Sequence, residues 1–207
     1  MAAYTTIDDP EAYFQTKAYT GDGTAIGSGG LAITLDGDTN MQPDLVWIKE
    51  RNATDNHRLT DAVRGVTKEI YSDDESAAGT DSEGLTAFNS DGFTIGNSGG
   101  YNTNTNTYVA WCWKESATAG FDIVSYTGNG SARTISHSLS AVPKMIIVKN
   151  IVEAGGVSWQ VYHGENTAAP ETDYLILDTA AATADAADRW NDTAPTSSVF
   201  SVGDGDE

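Results

Sequence analysis

An all-β chain built as two tandem antiparallel β-sandwich domains, jelly-roll-like in plan, is the fold this sequence predicts, and three observations predict it. First, the sequence repeats itself. Tyr19-Thr20-Gly21-Asp22-Gly23-Thr24 returns as Tyr126-Thr127-Gly128-Asn129-Gly130-Ser131, with Phe14 and Phe121 ahead of the two copies at the same spacing. The echo continues in Pro43-Asp44-Leu45-Val46-Trp47-Ile48-Lys49-Glu50 against Pro143-Lys144-Met145-Ile146-Ile147-Val148-Lys149-Asn150, and in Phe93-Thr94-Ile95-Gly96 against Phe200-Ser201-Val202-Gly203. A unit of about a hundred residues has the size of a domain and is far longer than the ~20–50-residue period of a solenoid. Second, apolar segments are short and separated by clusters of Gly, Asn, Asp, Ser and Thr, the punctuation of sheets. Third, helix signals are few.

The elements follow in order. Residues 1–116 form the first predicted sandwich and 117–207 the second. Tyr13 to Tyr19 and Phe121 to Tyr126 read as the opening strand of each unit, ending in Gly-Asp-Gly or Gly-Asn-Gly turns that supply positive φ. Leu45 to Lys49 and Met145 to Lys149 are continuous apolar runs, the pattern of central strands covered on both faces. Lys68 to Tyr71 and Tyr174 to Leu177 match in mid-unit. The Ala-rich stretch Thr179 to Arg189 has the propensity for a short surface helix, whereas Ser76 to Asp81 reads as loop. Asn97 to Thr107, rich in Gly and Asn, reads as an exposed hairpin turn. Tyr108-Val109-Ala110-Trp111-Cys112-Trp113 closes the first unit. The second unit lacks a counterpart to that closing strand, which predicts either a fragment or a sheet completed by a partner chain, because an open edge is a pairing liability.

Composition narrows the function. Asp+Glu 30 against Lys+Arg 11 gives a formal charge of -19, a surface that repels phosphate backbones and anionic bilayers, so nucleic acid and membrane insertion are not expected. A hydrophobic content of 39% with five Trp and nine Tyr sets the charge on a folded body and not on a disordered tail. One cysteine, Cys112, rules out an intrachain disulfide and reads as a packed small hydrophobe. No basic region followed by an apolar core opens the sequence, so no Sec signal is read there and synthesis in a cytoplasm, whatever the final destination, is the expectation.

Five segments together carry a resemblance: Tyr13-Phe14-Gln15-Thr16-Lys17, the two Tyr-Thr-Gly-x-Gly turns, Pro43 to Lys49, Asp61-Ala62-Val63-Arg64-Gly65-Val66-Thr67-Lys68, and Tyr108 to Lys114. With them the chain resembles, from about Ala12 to Gly203, a β-rich domain common in tail and other virion-surface proteins of tailed bacteriophages, marine ones notably. The resemblance implies a non-enzymatic virion structural protein, part of a tail fibre or surface appendage. It also implies a homo-oligomer such as a trimer, contacts with other virion proteins, and location in the virion after synthesis in the host cytoplasm. A host-surface glycan-binding module and a capsid decoration protein are the alternatives. The resemblance brings no catalytic or ligand-binding positions with it.

The residues themselves give few candidates. His57, His137 and His163 lie in separate polar segments without the spacing of a nucleophile and base or of a metal motif, so no catalytic residue and no cofactor is expected. Asp36, Asp38 and Asn40 alternate oxygen ligands as a calcium loop does, yet without the distal Glu, which favours a solvated turn. Tyr101, Trp159, Tyr162 and Trp190 are the aromatics that would stack on a host glycan if exposed at a sandwich edge, with packing into the unit core or a subunit interface as the favoured reading of each. Trp47, Trp111 and Trp113, within apolar strands, read as core. Arg64 and Lys68 are expected to pair with Asp61 and Glu69.

Overall fold

The computed structural model describes residues 7–153 and 155–205. They form two compact units. Residues up to Tyr71 together with Ala78–Phe121 make unit 1, and Ser72–Ala77 together with the chain from Asp122 onward make unit 2. The Glu115 to Gly120 link and Phe121 thus belong to unit 1, closed by a bridge between Ser116 and Phe121.

Unit 1 contains β1 (Phe14–Thr20), β2 (Leu31–Thr34), β3 (Leu45–Glu50), β4 (Arg58–Asp61), β5 (Lys68–Tyr71), β6 (Gly79–Thr80), β7 (Leu85–Asn89), β8 (Gly92–Ile95) and β9 (Thr107–Trp113), with one helical turn α1 (Gly99–Asn102) before β9. Six strands form one antiparallel sheet in the order β1-β9-β3-β4-β5-β6, and three form a second, β2-β8-β7. Alternation along β3 and β9 turns Val46, Ile48, Tyr108, Ala110 and Cys112 inward, where they meet Ile33, Leu85, Phe93 and Ile95 of the smaller sheet. Successive side chains of a strand face opposite sides, so this one periodicity creates a two-layer core. Each large apolar side chain sealed there contributes about 1.5–3 kcal/mol.

Unit 2 contains β10 (Arg133–Ser136), β11 (Met145–Val148), β12 (Gln160–His163), β13 (Asp173–Ile176), β14 (Ala184–Asp185) and β15 (Val199–Val202), with a helical turn α2 (Ala187–Trp190). Its sheets run β11-β12-β13-β14 and β10-β15. The strand pairing repeats unit 1 residue for residue. Ile33 opposite Phe93 becomes Ile135 opposite Phe200; Trp47 opposite Leu59 becomes Ile147 opposite Val161; Leu59 opposite Ile70 becomes Val161 opposite Leu175; and Glu69 opposite Gly79 becomes Tyr174 opposite Ala184. A one-residue slip would turn every side chain to the wrong face, so four matching registers mark one design used twice. Gly23 and Gly130 both take positive φ, 73° and 67°. Gly96 and Gly203 are both pressed against a neighbouring turn, where a Cβ would sit 2.8 Å from the Glu83 backbone and 2.1 Å from the Asp188 carbonyl oxygen.

The units differ at one side. In unit 1, β9 lies between β1 and β3, paired with both. No described residue of unit 2 supplies a β9. Residues 122–127, counterpart of β1, carry no strand, which corrects the expected opening strand there. The reason is that β1 pairs with β9 alone, and a segment without a ladder partner leaves its backbone groups to water. The expectation that Met145 to Lys149 is a central strand is corrected likewise: β11 is an edge, with Met145 51% and Ile147 41% exposed.

Two further expectations change. The Ala-rich stretch yields only the single turn α2, because Ala184 and Asp185 pair with β13 and intrinsic propensity alone is too weak to nucleate a short helix. The Asn-rich region is not an exposed hairpin tip. Gly100, Tyr101 and Asn102 of α1 are buried, and the Asn102 side chain accepts from the Asp22 amide at 2.7 Å, tying down the Gly-Asp-Gly turn.

Candidate functional site

The four aromatics singled out for glycan stacking are all buried, with exposures of 5% or less. They are packed inside the units, and the cause is a polar tip satisfied indoors in three of them. The Tyr101 hydroxyl donates to Glu69 Oε2 at 3.0 Å, Trp159 Nε1 donates to the Asp74 carbonyl at 3.2 Å, and Trp190 Nε1 donates to the Asp173 carbonyl at 3.0 Å. Tyr162 meets Trp190 edge to face at 5.9 Å.

Around Tyr101 unit 1 holds a charged cluster. Arg58 Nη1 lies 2.7 Å from Glu69 Oε2, the Tyr71 hydroxyl donates to Glu69 Oε1 at 2.7 Å, and the Arg58 guanidinium stands 5.2 Å from the ring centres of both Tyr71 and Tyr101. Burial alone would depress the Arg58 guanidinium, but the Glu69 carboxylate holds it above its ordinary value. Burial, then the hydrogen bond to Glu69, pushes the Tyr71 hydroxyl up to about 12. Burial, then the charge of Glu69, raises Tyr101 well above the ordinary tyrosine value. These contacts brace β4, β5 and α1 against one another. Glu69 therefore pairs with Arg58, and Asp61 with Arg64 at 2.5 Å.

Trp47, Trp111 and Trp113 are not core. They are half-buried on the outer face of the six-stranded sheet, where Trp47 stands 6.2 Å from Trp111 and 6.3 Å from Trp113. Phe14, 39% exposed, continues the row 5.0 Å from Trp113. His57 closes it, its Nδ1 accepting from Trp47 Nε1 at 2.9 Å. Sequence reading missed this row because apolar flanks mask alternation; the signal was the odd-numbered spacing of Val109, Trp111 and Trp113 against the inward Ala110 and Cys112.

Unit 2 carries a cleft of about 320 Å³, lined by Glu75, Glu153, Gln160, Tyr174, Ile176 and Arg189 among others. By register, Gln160 stands where unit 1 has Arg58, Tyr174 where it has Glu69, and Ile176 where it has Tyr71. Gln160 is buried, and among the described residues its Oε1 has no hydrogen-bond partner. A second, narrow opening lies between Tyr126 and Val148, with Trp190 and Val202 at its walls.

The remaining candidates lie apart. Asp36, Asp38 and Asn40 are exposed; Asp36 pairs with Lys17 at 2.9 Å, and the Asp38 amide donates to Glu11 Oε2. Among the described residues no group of three or more His, Cys, Asp or Glu side chains is placed to hold a metal ion. His137 follows β10 and His163 ends β12, strands of different sheets of unit 2, and no helix of the described residues is long and apolar enough to cross a membrane.

A family model described as a domain of unknown function (DUF7483) matches residues 9–207, and the chain belongs to that family. No curated protein matches the chain, and no solved structure does.

Proposed function

We propose that this member of the DUF7483 family is a non-enzymatic structural protein of a bacteriophage particle, part of a tail fibre or surface appendage. It is made in the host cytoplasm and works as a homo-oligomer among other virion proteins. The observation that carries the reading is the duplicated β unit: one strand design with matching registers is used twice in the chain, and repeated β modules are a building plan that suits an appendage. The motifs Tyr13 to Lys17, Pro43 to Lys49 and Tyr108 to Lys114, which resemble phage virion-surface domains, support the location. The buried acidic, basic and phenolic groups of unit 1 bond one another, which supports a non-enzymatic role. Mass spectrometry of purified particles from a phage encoding this chain tests the reading: the chain should be present in a fixed copy number that is a multiple of the appendage symmetry. Its recovery only as free protein in the lysate would overturn it.

A second reading, recognition of host glycan, is favoured by one observation, the half-exposed row Phe14, Trp113, Trp47 and Trp111. Flat aromatic faces in a line can stack on successive sugar rings. Trp111→Ala should then abolish binding of the protein to host envelope polysaccharide, and unchanged binding would remove this reading.

A further inference from the structure

On the outer face of the six-stranded sheet of unit 1, the strand registers set the aromatic side chains on neighbouring rungs. Phe14, Trp113 and Leu45 stand opposite one another on β1, β9 and β3, and Thr16, Trp111 and Trp47 stand opposite one another on the next rung. Trp113 is the hub. Its ring lies 5.0 Å from Phe14, 6.3 Å from Trp47 and 6.3 Å from Phe121, tilted from them by 47°, 40° and 31°. Trp111 stands across this line at 71° to Trp47. Phe14, Trp113 and Trp47 therefore step over three adjacent strands with moderate turns between rings. The row is a surface and not a core: Phe14 is 39% exposed, and Trp47, Trp111, Trp113 and Phe121 are half-buried. Carried on paired strands, these rings are ordered before any ligand arrives, which lowers the cost of binding.

The charges that the register places beside the rings are already engaged. Asp61, opposite Leu45, pairs with Arg64 at 2.5 Å. Lys49, two residues from Trp47, donates to the carbonyls of Ala53 and Asp55 at 3.1 and 2.7 Å. His57 Nδ1 is occupied as well, accepting from Trp47 Nε1 at 2.9 Å. A face whose ions are bonded within the fold offers little to an ionic ligand. The chain as a whole, with a formal charge of -19, repels polyanions over a Debye length of about 10 Å at 0.1 M salt. What the face does offer is ring surface, the hydroxyl of Thr16, exposed opposite Trp111, and indole N–H donors.

We propose that the aromatic row of unit 1 binds an uncharged saccharide chain, with Phe14, Trp113 and Trp47 each taking one sugar ring, and that it discriminates against acidic polysaccharide. The inference rests on the glycan reading above and narrows it to one ligand class. The C–H faces of neutral sugar rings pack on the aromatic faces, and their hydroxyls meet Thr16 and the indole N–H groups at the rim. A uronate or sialate unit would instead bring a carboxylate to a face where Lys49 and Arg64 are committed to partners of their own. Its desolvation would go uncompensated, and the acidic body would oppose its approach.

The test titrates the isotope-labelled full chain with neutral oligosaccharides (cellulose, laminarin, amylose, mannan and chitin series, monomer to hexamer) and with oligogalacturonates of the same lengths. The five indole N–H signals are the readout. Those of Trp47, Trp111 and Trp113 should shift with at least one neutral series, while Trp159 and Trp190, bonded to carbonyls inside unit 2, should stay in place. Affinity should rise from monomer to trimer and level off beyond it. It should hold steady between about 0.02 and 0.5 M salt, and at the lower salt the oligogalacturonates should bind at least about tenfold more weakly. Trp113→Leu, with the Phe93 and Tyr108 core signals unchanged as the sign of a folded unit 1, should weaken the neutral trimer at least about tenfold. Acidic oligomers that bind as tightly through the same three signals would overturn this inference and leave the glycan reading standing. No shift with any saccharide would remove both. Shifts of the three signals that grow with protein concentration alone would also overturn the proposal, by assigning the face to a second copy of the chain.

Discussion

Unit 1 and unit 2 share four strand registers, yet β3 is buried at alternate positions with Val46 and Ile48 sealed, while its twin β11 has no buried residue and two exposed apolar ones. The difference lies in the neighbours and not in the apolar character of the two strands: Leu45 to Ile48 and Met145 to Val148 are both apolar throughout. One absent ladder partner changes a central strand into an edge and an opening strand into an irregular segment. Strand identity is thus a property of the pair. Burial follows the ladder.

The comparison can be broken most forcefully in the cores. Phe93→Ala should cost about 3–5 kcal/mol, the usual loss for a sealed aromatic, whereas Phe200→Ala should cost less because its side of unit 2 is partly open. Denaturant unfolding followed by unit-resolved hydrogen exchange checks both, and equal costs would deny that the two cores differ in closure. Next, Glu69→Ala should destabilise unit 1 by about 3 kcal/mol, since it leaves the Arg58 charge half-buried without its carboxylate. Unit 2, with Tyr174 at that register, has no such vulnerability. Unfolding midpoints of Glu69→Ala and Tyr174→Ala compare them directly.

Alkali should separate the units by sign as well as size. Burial raises the folded-state values of Tyr19, Tyr71, Tyr101 and Tyr108 in unit 1, and raises Cys112 to about 12. A group raised on folding contributes stability that is fully present below its unfolded value and is lost as pH rises through its folded one. Unfolded cysteine and tyrosine titrate near about 8.5 and 10, so unit 1 should weaken progressively from there toward pH ~12. Unit 2, in which burial raises Tyr126 and Tyr162, should weaken less over the same window. Hydrogen exchange at stepped alkaline pH reads this, and a steeper loss in unit 2 would contradict it. The smallest effect concerns Gln160. Gln160→Leu removes an unsatisfied buried acceptor and should be neutral or stabilising by up to about 1 kcal/mol, while Arg58→Leu at the same register should be clearly destabilising. Thermal midpoints distinguish the two.

Much of the fold was legible in the sequence, because the duplication fixed which residues are equivalent and the turn glycines marked where strands end. The expected strands at Leu45 to Lys49 and Lys68 to Tyr71 appear as β3 and β5, and Cys112 is buried as a small hydrophobe. The faces of the aromatics were not legible. Trp47, Trp111 and Trp113 stand among apolar neighbours, which hides their outward alternation, and Tyr101, placed in a polar stretch, is drawn inside by Glu69 and Thr60 on strands distant in sequence. The Gln160 cleft was invisible for the same reason: it exists because of what unit 1 has and unit 2 lacks at positions far along the chain.

Backbone amide exchange at paired positions tests the central claim most directly. In the monomeric chain, Trp47 should exchange only on global opening of unit 1, while Ile147 should exchange orders of magnitude faster than its own neighbours Ile146 and Val148, which bond to β12. If Ile147 proves as protected as Trp47 in the monomer, unit 2 already holds its missing strand, and the contrast between a closed unit and an open one is wrong.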